Sequence, residues 1–372
     1  MNVLHAPFNF GSQASSLADA ENAARRRVGV PGRSWSIDFE PLPRFSAATE
    51  VFAPPSGWRG TLHRSLRPFF YGLRHAREFD VLHLYSGRSL LRCEGRFRLF
   101  DRRDLPLWKF LGKRIFVTFQ GCEVRYRGTT SHRAYSPCQE GICDIPGCDA
   151  ALEARLRRSC EVLLRWADKA FCLNPDLLAH VPSAEFLPYV ALPTEIPDPE
   201  LKPPNALPVV VHAPSNRSIK GTEFLLAASE ALQATHPHAL RLVEGLPRAE
   251  ALKVYGQADI LVDQLRLGWY GALAVEAMAL SVPVVAYLHE ADLARIPPAM
   301  REELPIQNAS PDSLAAALAT LLEDAKLRED LGRRGLCFVR RWHHPVKIAR
   351  RLLELYRNPD QSFWADYDPD RD

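Results

Sequence analysis

The chain has no apolar run approaching the ~18 residues a membrane-crossing helix needs, which argues against a helical span. Its first thirteen residues, MNVLHAPFNFGSQ, lack a basic stretch followed by an apolar core. No signal peptide is expected, and a cytoplasmic location follows. In that compartment the eight cysteines are expected as thiols or metal ligands rather than disulfides. There is no fixed-period repeat and no low-complexity tract. The basic residues come without a recognition module, so nucleic acid is not an expected partner.

What is present suits a soluble globular chain. With 372 residues, 47% of them hydrophobic and 24% charged, two domains are the natural expectation. The formal net charge of +3 is unevenly spread. Residues 1–185 hold 27 Lys and Arg against 19 Asp and Glu, so the remainder is acidic. A basic first half fits an anionic acceptor, a lipid headgroup or a membrane surface, and it fits an Arg-rich solvated surface equally well.

Short apolar runs predict strands at Asn2–His5, Trp35–Phe39, Asp80–Tyr85, Arg114–Phe119, Lys169–Leu173 and Glu185–Tyr189. Helical periodicity over Ala14–Val28, Gly60–Phe79 and Ala150–Ala167 alternates with them. Such alternation makes a doubly wound parallel sheet. From Pro188 to Pro208 the chain is proline-rich, the composition of an extended linker. The expected organisation is therefore a first domain over 1–190, a linker over 191–208 and a second α/β domain over 209–344. The second domain starts with the strand Val209–His212 and the helix Lys220–Thr235. Three helices follow near 312–323, 325–340 and 344–357.

The segment Ala258–Tyr287, ADILVDQLRLGWYGALAVEAMALSVPVVAY, carries the sharpest chemistry. Two buried strands, around Ile260–Val262 and Val282–Val285, flank a loop and a helix opened by Gly271. The first amides of a helix have no intrahelical acceptor and can bind a phosphate. Glu276 lies about a turn and a half further in. Amides for phosphates beside an acid for ribose hydroxyls suit a nucleotide. A second loop, His212–Thr222 (HAPSNRSIKGT), follows a strand and places Arg217 and Lys220 near a helix start, where cations and amides can share a diphosphate.

These two loops resemble the donor site of retaining glycosyltransferases of family 4, whose fold is GT-B: two Rossmann-like domains facing across a cleft. Tyr270-Gly271, Glu276-Ala277-Met278-Ala279 and the proline of Pro283-Val284-Val285-Ala286 carry the resemblance. It implies that Arg217 and Lys220 stabilise the departing diphosphate. Tyr270, Gly271, Ala272, Leu273, Glu276 and position 268 would line the donor nucleotide and sugar, with Glu276 on the ribose. Two departures stand out. Position 268 is Gly where the family has a Glu on the donor sugar, with Asp263, Gln264 and Arg266 as nearby polar candidates. Ser215 stands where the usual Arg lies, so Arg217 is a substitute.

In the first half, Phe8–Ser12 with Gly11, the strand end at His83, and Thr118–Arg125 with Gln120 and Arg125 resemble the family's acceptor-side elements. Gln120 stands in place of the family's His. By the same resemblance the last helix, near 345–372, crosses back onto the first domain. The implied activity moves a sugar from a nucleotide-diphosphate donor to a hydroxyl of a glycan, lipid-linked or small-molecule acceptor. Anomeric configuration is retained and no catalytic metal is needed. An inactive nucleotide-binding relative and a sugar-nucleotide epimerase are the alternatives.

Two features stand apart. Cys138, Cys143 and Cys148 in a Pro/Gly-rich loop, with Cys122 or His132 as a fourth ligand, could hold a structural zinc ion. Arg59–Phe79 mixes Arg64, Arg67, Arg74 and Arg77 with Phe69, Phe70 and Tyr71. It reads either as a crossover helix with an Arg-rich outer face or as a peripheral membrane contact, with Pro68 interrupting it.

Overall fold

The structure is a computed structural model that describes residues 1–41, 48–52, 57–92, 100–139, 141–143, 147–199 and 205–370, without the side chains of 57–59 and 61–64. Arg59 and Arg64 in the Arg-rich segment are thus outside the described side chains. The chain forms two compact units. One comprises Met1–Arg125, Ala151–Thr194 and Pro345–Asp372, and the other Tyr126–Ala150 and Glu195–His344. Tyr126–Ala150, within the range read from sequence as the first domain, therefore clusters with the second unit.

The first unit is built on seven parallel strands: β1 (Val3–Ala6), β2 (Ser34–Asp38), β3 (Glu50–Val51), β4 (Val81–Tyr85), β5 (Arg114–Phe119), β6 (Lys169–Cys172) and β7 (Glu185–Phe186). Their order is β3-β2-β1-β4-β5-β6-β7. Every residue of β1, β2 and β4 is buried, as expected of strands covered on both faces. The order reverses between β1 and β4, so the crevice at their carboxyl ends is the place such a sheet offers a ligand.

The terminal helix Pro345–Leu355 packs in this unit against Gln13–Val28, with Val346, Ala349, Leu352 and Leu353 meeting Leu17, Ala20 and Ala24 in one apolar core. Helix Gly57–Arg74 runs through Pro68 rather than stopping there. Proline costs an interior helix about 3 kcal/mol, so packing must offset it. Gly72 permits that packing: a Cβ there would lie 2.5 Å from Leu90 Cδ1 and 2.9 Å from Trp108 Cη2.

The second unit holds β8 (Val209–His212), β9 (Ala239–Leu242), β10 (Ile260–Val262), β11 (Val284–Ala286) and β12 (Gln307–Asn308), all parallel, in the order β12-β11-β10-β8-β9. Its switch point lies between β8 and β10, whose carboxyl ends carry the loops 213–221 and 263–271. The helix expected from Lys220 to Thr235 is two helices, Arg217–Lys220 and Thr222–Leu232. Gly221 separates them with φ +75°, and a Cβ there would press on Leu265 Cβ at 3.1 Å.

Candidate functional site

Adjacent strands with a reversed order bring the two loops singled out in the sequence side by side. The Leu265 N–H donates to the Lys220 carbonyl at 3.0 Å, stitching loop to loop. The Lys220 ammonium donates to Gln264 Oε1, and Asp263 Oδ1 lies 3.8 Å from it. A Cβ on Gly271 would sit 3.5 Å from Lys220 Nζ and 3.4 Å from Asp263 Oδ2. A cation, a buried carboxylate and the start of helix Ala272–Ala279 thus converge within a few ångströms.

The Gly271 N–H is already taken, because it donates to Asp263 Oδ2 at 2.5 Å. Asp263 Oδ1 is buried and accepts no hydrogen bond among the described residues. The amides of Ala272 and Leu273 remain as the helix-start donors without an acceptor among the described residues. This is an anion-binding arrangement in which a carboxylate of the protein sits beside the cation a diphosphate would use.

Glu276, on the same helix, accepts from Arg248 Nε at 2.7 Å. Burial raises its carboxyl pKa, with Arg248 working in the opposite direction. A carboxylate held by one cation keeps lone pairs for hydroxyl donors. Tyr270 is placed differently from the sequence reading: its ring is fully buried and its hydroxyl bonds His343 Nε2 at 2.9 Å. Its side chain anchors the loop to the end of helix Ala325–Trp342 and does not line a ligand surface. Arg217 is exposed and paired with Glu244, at 2.9 Å and 2.5 Å, a pairing that raises the Arg217 pKa and lowers that of Glu244. With Ser218, Thr222, Glu223 and Arg266 it lines an open pocket of about 390 Å³ that Gly141 and Ile142 also line.

Gly268 has φ +77°, a conformation that L side chains rarely adopt. A Cβ there would meet His289 Cβ at 2.8 Å, and both Arg133 Nη2 and Asp292 Oδ2 at 3.3 Å. Arg133 and Asp292 form an ion pair at this point. The space of the missing side chain is therefore occupied by a carboxylate from helix Glu290–Leu293, held by an arginine from the segment 126–150. Nothing in the local sequence pointed to Arg133 or Asp292. The same segment brings the Tyr135 ring to 5.4 Å from Tyr287, and the Tyr135 carbonyl accepts from Arg266 at 3.3 Å.

The structure lends no support to the zinc site expected at the three loop cysteines. Among the described residues no group of three or more His, Cys, Asp or Glu could hold a metal ion. Backbone hydrogen bonds hold this loop: Arg127 Nη1 donates to the Cys148 carbonyl at 3.0 Å and the Cys138 N–H to Ser136 Oγ at 3.1 Å. His132 and Cys122 are exposed.

In the first unit, the sequence candidates divide. Gln120 is partly exposed at the end of β5; its Oε1 accepts from Ser86 Oγ at 3.0 Å and its carbonyl from Asn174 Nδ2 at 3.1 Å. Gly11, with φ +64°, lies in an open turn where a Cβ would meet nothing within 4 Å. Arg125 is buried against Asp176 through two hydrogen bonds of 2.7 Å and 3.1 Å. His83 is fully buried. Tyr356 donates its hydroxyl proton to Glu21 Oε1 at 2.9 Å, so its oxygen accepts from His83 Nδ1 at 2.7 Å. His83 Nε2 then accepts from Thr118 Oγ1 at 2.7 Å. Both nitrogens are satisfied inside the core, and burial, reinforced by His5, pushes the imidazole pKa well below its ordinary value. Both side chains are buried and hydrogen-bonded within the first unit.

Comparison with known proteins gives this geometry a context. Residues 209–336 match the family described as glycosyl transferases group 1. Among solved structures, a sucrose-phosphate synthase from Thermosynechococcus elongatus superposes with a TM-score of 0.63 at 15% identity, over 96% of this chain and 99% of that one. The Anabaena protein HepE, solved with UDP and glucose, gives 0.58 at 12% identity, over 96% and 100%. The fold is GT-B. A UDP-N-acetylglucosamine 2-epimerase (putative) from Listeria monocytogenes also has the fold, with a TM-score of 0.52 at 11% identity over 97% and 98%. The GT-B fold is thus shared by structures bearing different activities. No curated protein is a significant sequence match.

Proposed function

We propose that the protein is a glycosyltransferase that moves a sugar from a nucleoside-diphosphate donor to a hydroxyl acceptor with retention of configuration. The observation that carries this reading is the convergence of Lys220, Asp263 and the start of helix Ala272–Ala279, with Glu276 on that helix. The group 1 glycosyl transferases match over 209–336 covers all of these residues. The diphosphate would take the Lys220 ammonium and the Ala272 and Leu273 amides, competing with Asp263 and Gln264 for the ammonium. Glu276 would accept from the ribose hydroxyls while Arg248 keeps it ionised.

Charge builds on the departing diphosphate as the sugar leaves, so fixed donors at that oxygen lower the barrier. Retention without a protein nucleophile requires the acceptor hydroxyl to approach on the leaving-group face. Its proton then passes to the departing phosphate, and the protein's part is positioning. Arg217, turned to Glu244, would have to exchange that partner to reach a phosphate. Acceptor candidates in the first unit reduce to Gln120 and the Gly11 turn, and the acceptor is a hydroxyl of a glycan, a lipid-linked or a small molecule.

The test is a panel of nucleotide sugars scored for binding by thermal shift and for release of nucleoside diphosphate. Binding with release supports transfer. The absence of an acid at position 268 favours one second reading, a nucleotide-binding relative without turnover, which predicts binding and no release with any acceptor. No binding to any nucleotide overturns both.

A further inference from the structure

The first unit carries an apolar and basic face at the end of its sheet opposite the loops considered above. The segments leading into β4 and β5 meet there, at the amino ends of parallel strands. Helix Gly57–Arg74 lays Gly72 and Phe69 against Trp108, the Phe69 and Trp108 rings 6.0 Å apart, so its other face turns outward. The chain then leaves a groove of about 450 Å³ lined by Leu73, Arg74, Ala76, Arg77, Leu111 and Lys113.

Four large apolar side chains stand exposed on these segments: Phe110 at 87%, Phe70 at 58%, Leu111 at 40% and Leu73 at 38%. Scattered exposed leucines need no explanation, but a cluster with an almost wholly exposed Phe at its tip does. Two of the cations beside it lack neutralising acids. Arg74 and Arg77 have no ion pair among the described residues. The acids closest in sequence are engaged elsewhere, Glu78 with Arg33 at 3.2 Å and His75 at 2.8 Å, and Asp80 with the N-terminal ammonium at 3.9 Å. Lys113 donates to the Phe79 carbonyl at 2.6 Å; burial lowers its pKa and Asp80 works in the opposite direction.

We propose that this face docks on an anionic lipid bilayer. Phe110, Leu111, Leu73 and Phe70 enter the boundary between headgroups and acyl chains, while Arg74, Arg77 and Lys113 meet lipid phosphates. Charge complementarity selects a bilayer: Arg74 and Arg77, without ion pairs among the described residues, flank protruding apolar tips, an arrangement that lets the stems lie along the apolar layer and the heads reach phosphate. Docking this way leaves the carboxyl ends of β1, β4 and β5 unobstructed. The inference is independent of the donor and of turnover.

The experiment is co-sedimentation of the full chain with vesicles of phosphatidylcholine alone and of phosphatidylcholine with phosphatidylglycerol. Binding is expected only to the second, weakening as salt rises. Arg74→Glu with Arg77→Glu should weaken it by at least about 25-fold, about fivefold for each cation removed. Phe110→Ser should weaken it about tenfold or more. Thermal melts of the variants, all at exposed positions, should match the parent. No binding to anionic vesicles, equal binding to both vesicle types, or variants that bind like the parent would each overturn the proposal.

Discussion

Arg133 and Asp292 are paired directly above the Cβ-less Gly268, closing the space a side chain at that position would need. The two residues are 159 positions apart in the chain. Their meeting puts a carboxylate beside a position that has no side chain of its own. Asp292 places its carboxylate 3.3 Å from where a Cβ at 268 would be.

Restoring the family acid should therefore fail. Gly268→Glu forces an L residue into a left-handed conformation, at about 1–2 kcal/mol. It also drives a Cβ to 2.8 Å from His289 Cβ, far inside contact distance. A loss of at least about 2 kcal/mol in chemical denaturation is expected. Asp292→Asn keeps the shape and removes the charge, and under the proposed function it should lower turnover more than nucleotide affinity. Equal stability of Gly268→Glu and the parent would show that the space is open.

Glu276 supplies a pH prediction. Burial raises its folded-state pKa above the ordinary glutamate value of 4.5. The folded chain thus holds this proton more tightly than the unfolded one. The contribution to stability is full below the unfolded pKa and is lost as pH rises through the folded one. Glu276→Gln should remove that slope. The stability difference, parent minus variant, should fall as pH rises above about 4.5 and then level off. A difference that grows with pH would mean that Arg248 outweighs burial.

The strands and the two donor-side loops were legible because their signals are local: apolar runs, Gly271 before a helix, Lys220 after a strand. The doubly wound sheets followed from alternation, and the GT-B fold from the family resemblance those motifs carry. What was not legible rests on long-range pairing. His83 looks like a strand-end functional group until Tyr356, 273 positions away, takes its Nδ1 proton in a hydrogen bond. Tyr270 belongs to the motif but is spent on His343. The cysteine spacing suggested a metal, and among the described residues no group of ligands supports one. Segment 126–150 carries no sequence sign that its arginines serve the second unit.

His83→Ala should act on folding and not on the reaction. It strands the Tyr356 and Thr118 hydroxyl contacts and opens a cavity in a filled core, costing about 2–4 kcal/mol. The sign of its pH effect is opposite to that of Glu276. A histidine whose folded pKa is depressed contributes stability above the unfolded pKa, and that contribution is lost as pH falls below about 6.5. Acid denaturation should be shallower in His83→Asn. A variant with parental stability but no turnover would return His83 to the acceptor side.

Arg125→Ala makes a similar case by a different route. It leaves Asp176 as a buried carboxylate without its two hydrogen bonds of 2.7 Å and 3.1 Å, an outcome that costs about 3–5 kcal/mol. Arg125→Lys should recover only part of that, since an ammonium cannot make the paired contacts. Urea denaturation of the two variants measures both values.

Lys220→Ala tests the donor side most directly. The ammonium sits between Gln264 and Asp263, beside the start of helix Ala272–Ala279, and a diphosphate there would gain a charge-assisted hydrogen bond. Losing a hydrogen bond to a charged group costs about 1.5–3 kcal/mol, or about tenfold to a hundredfold in affinity. Removing the cation also leaves Asp263 facing the ligand with its buried Oδ1 unpaired, so repulsion adds to the loss. Calorimetric titration with a nucleoside diphosphate should show the weakening, and Asp263→Asn in the same background should restore part of it. Affinity unchanged in Lys220→Ala would place the phosphates elsewhere.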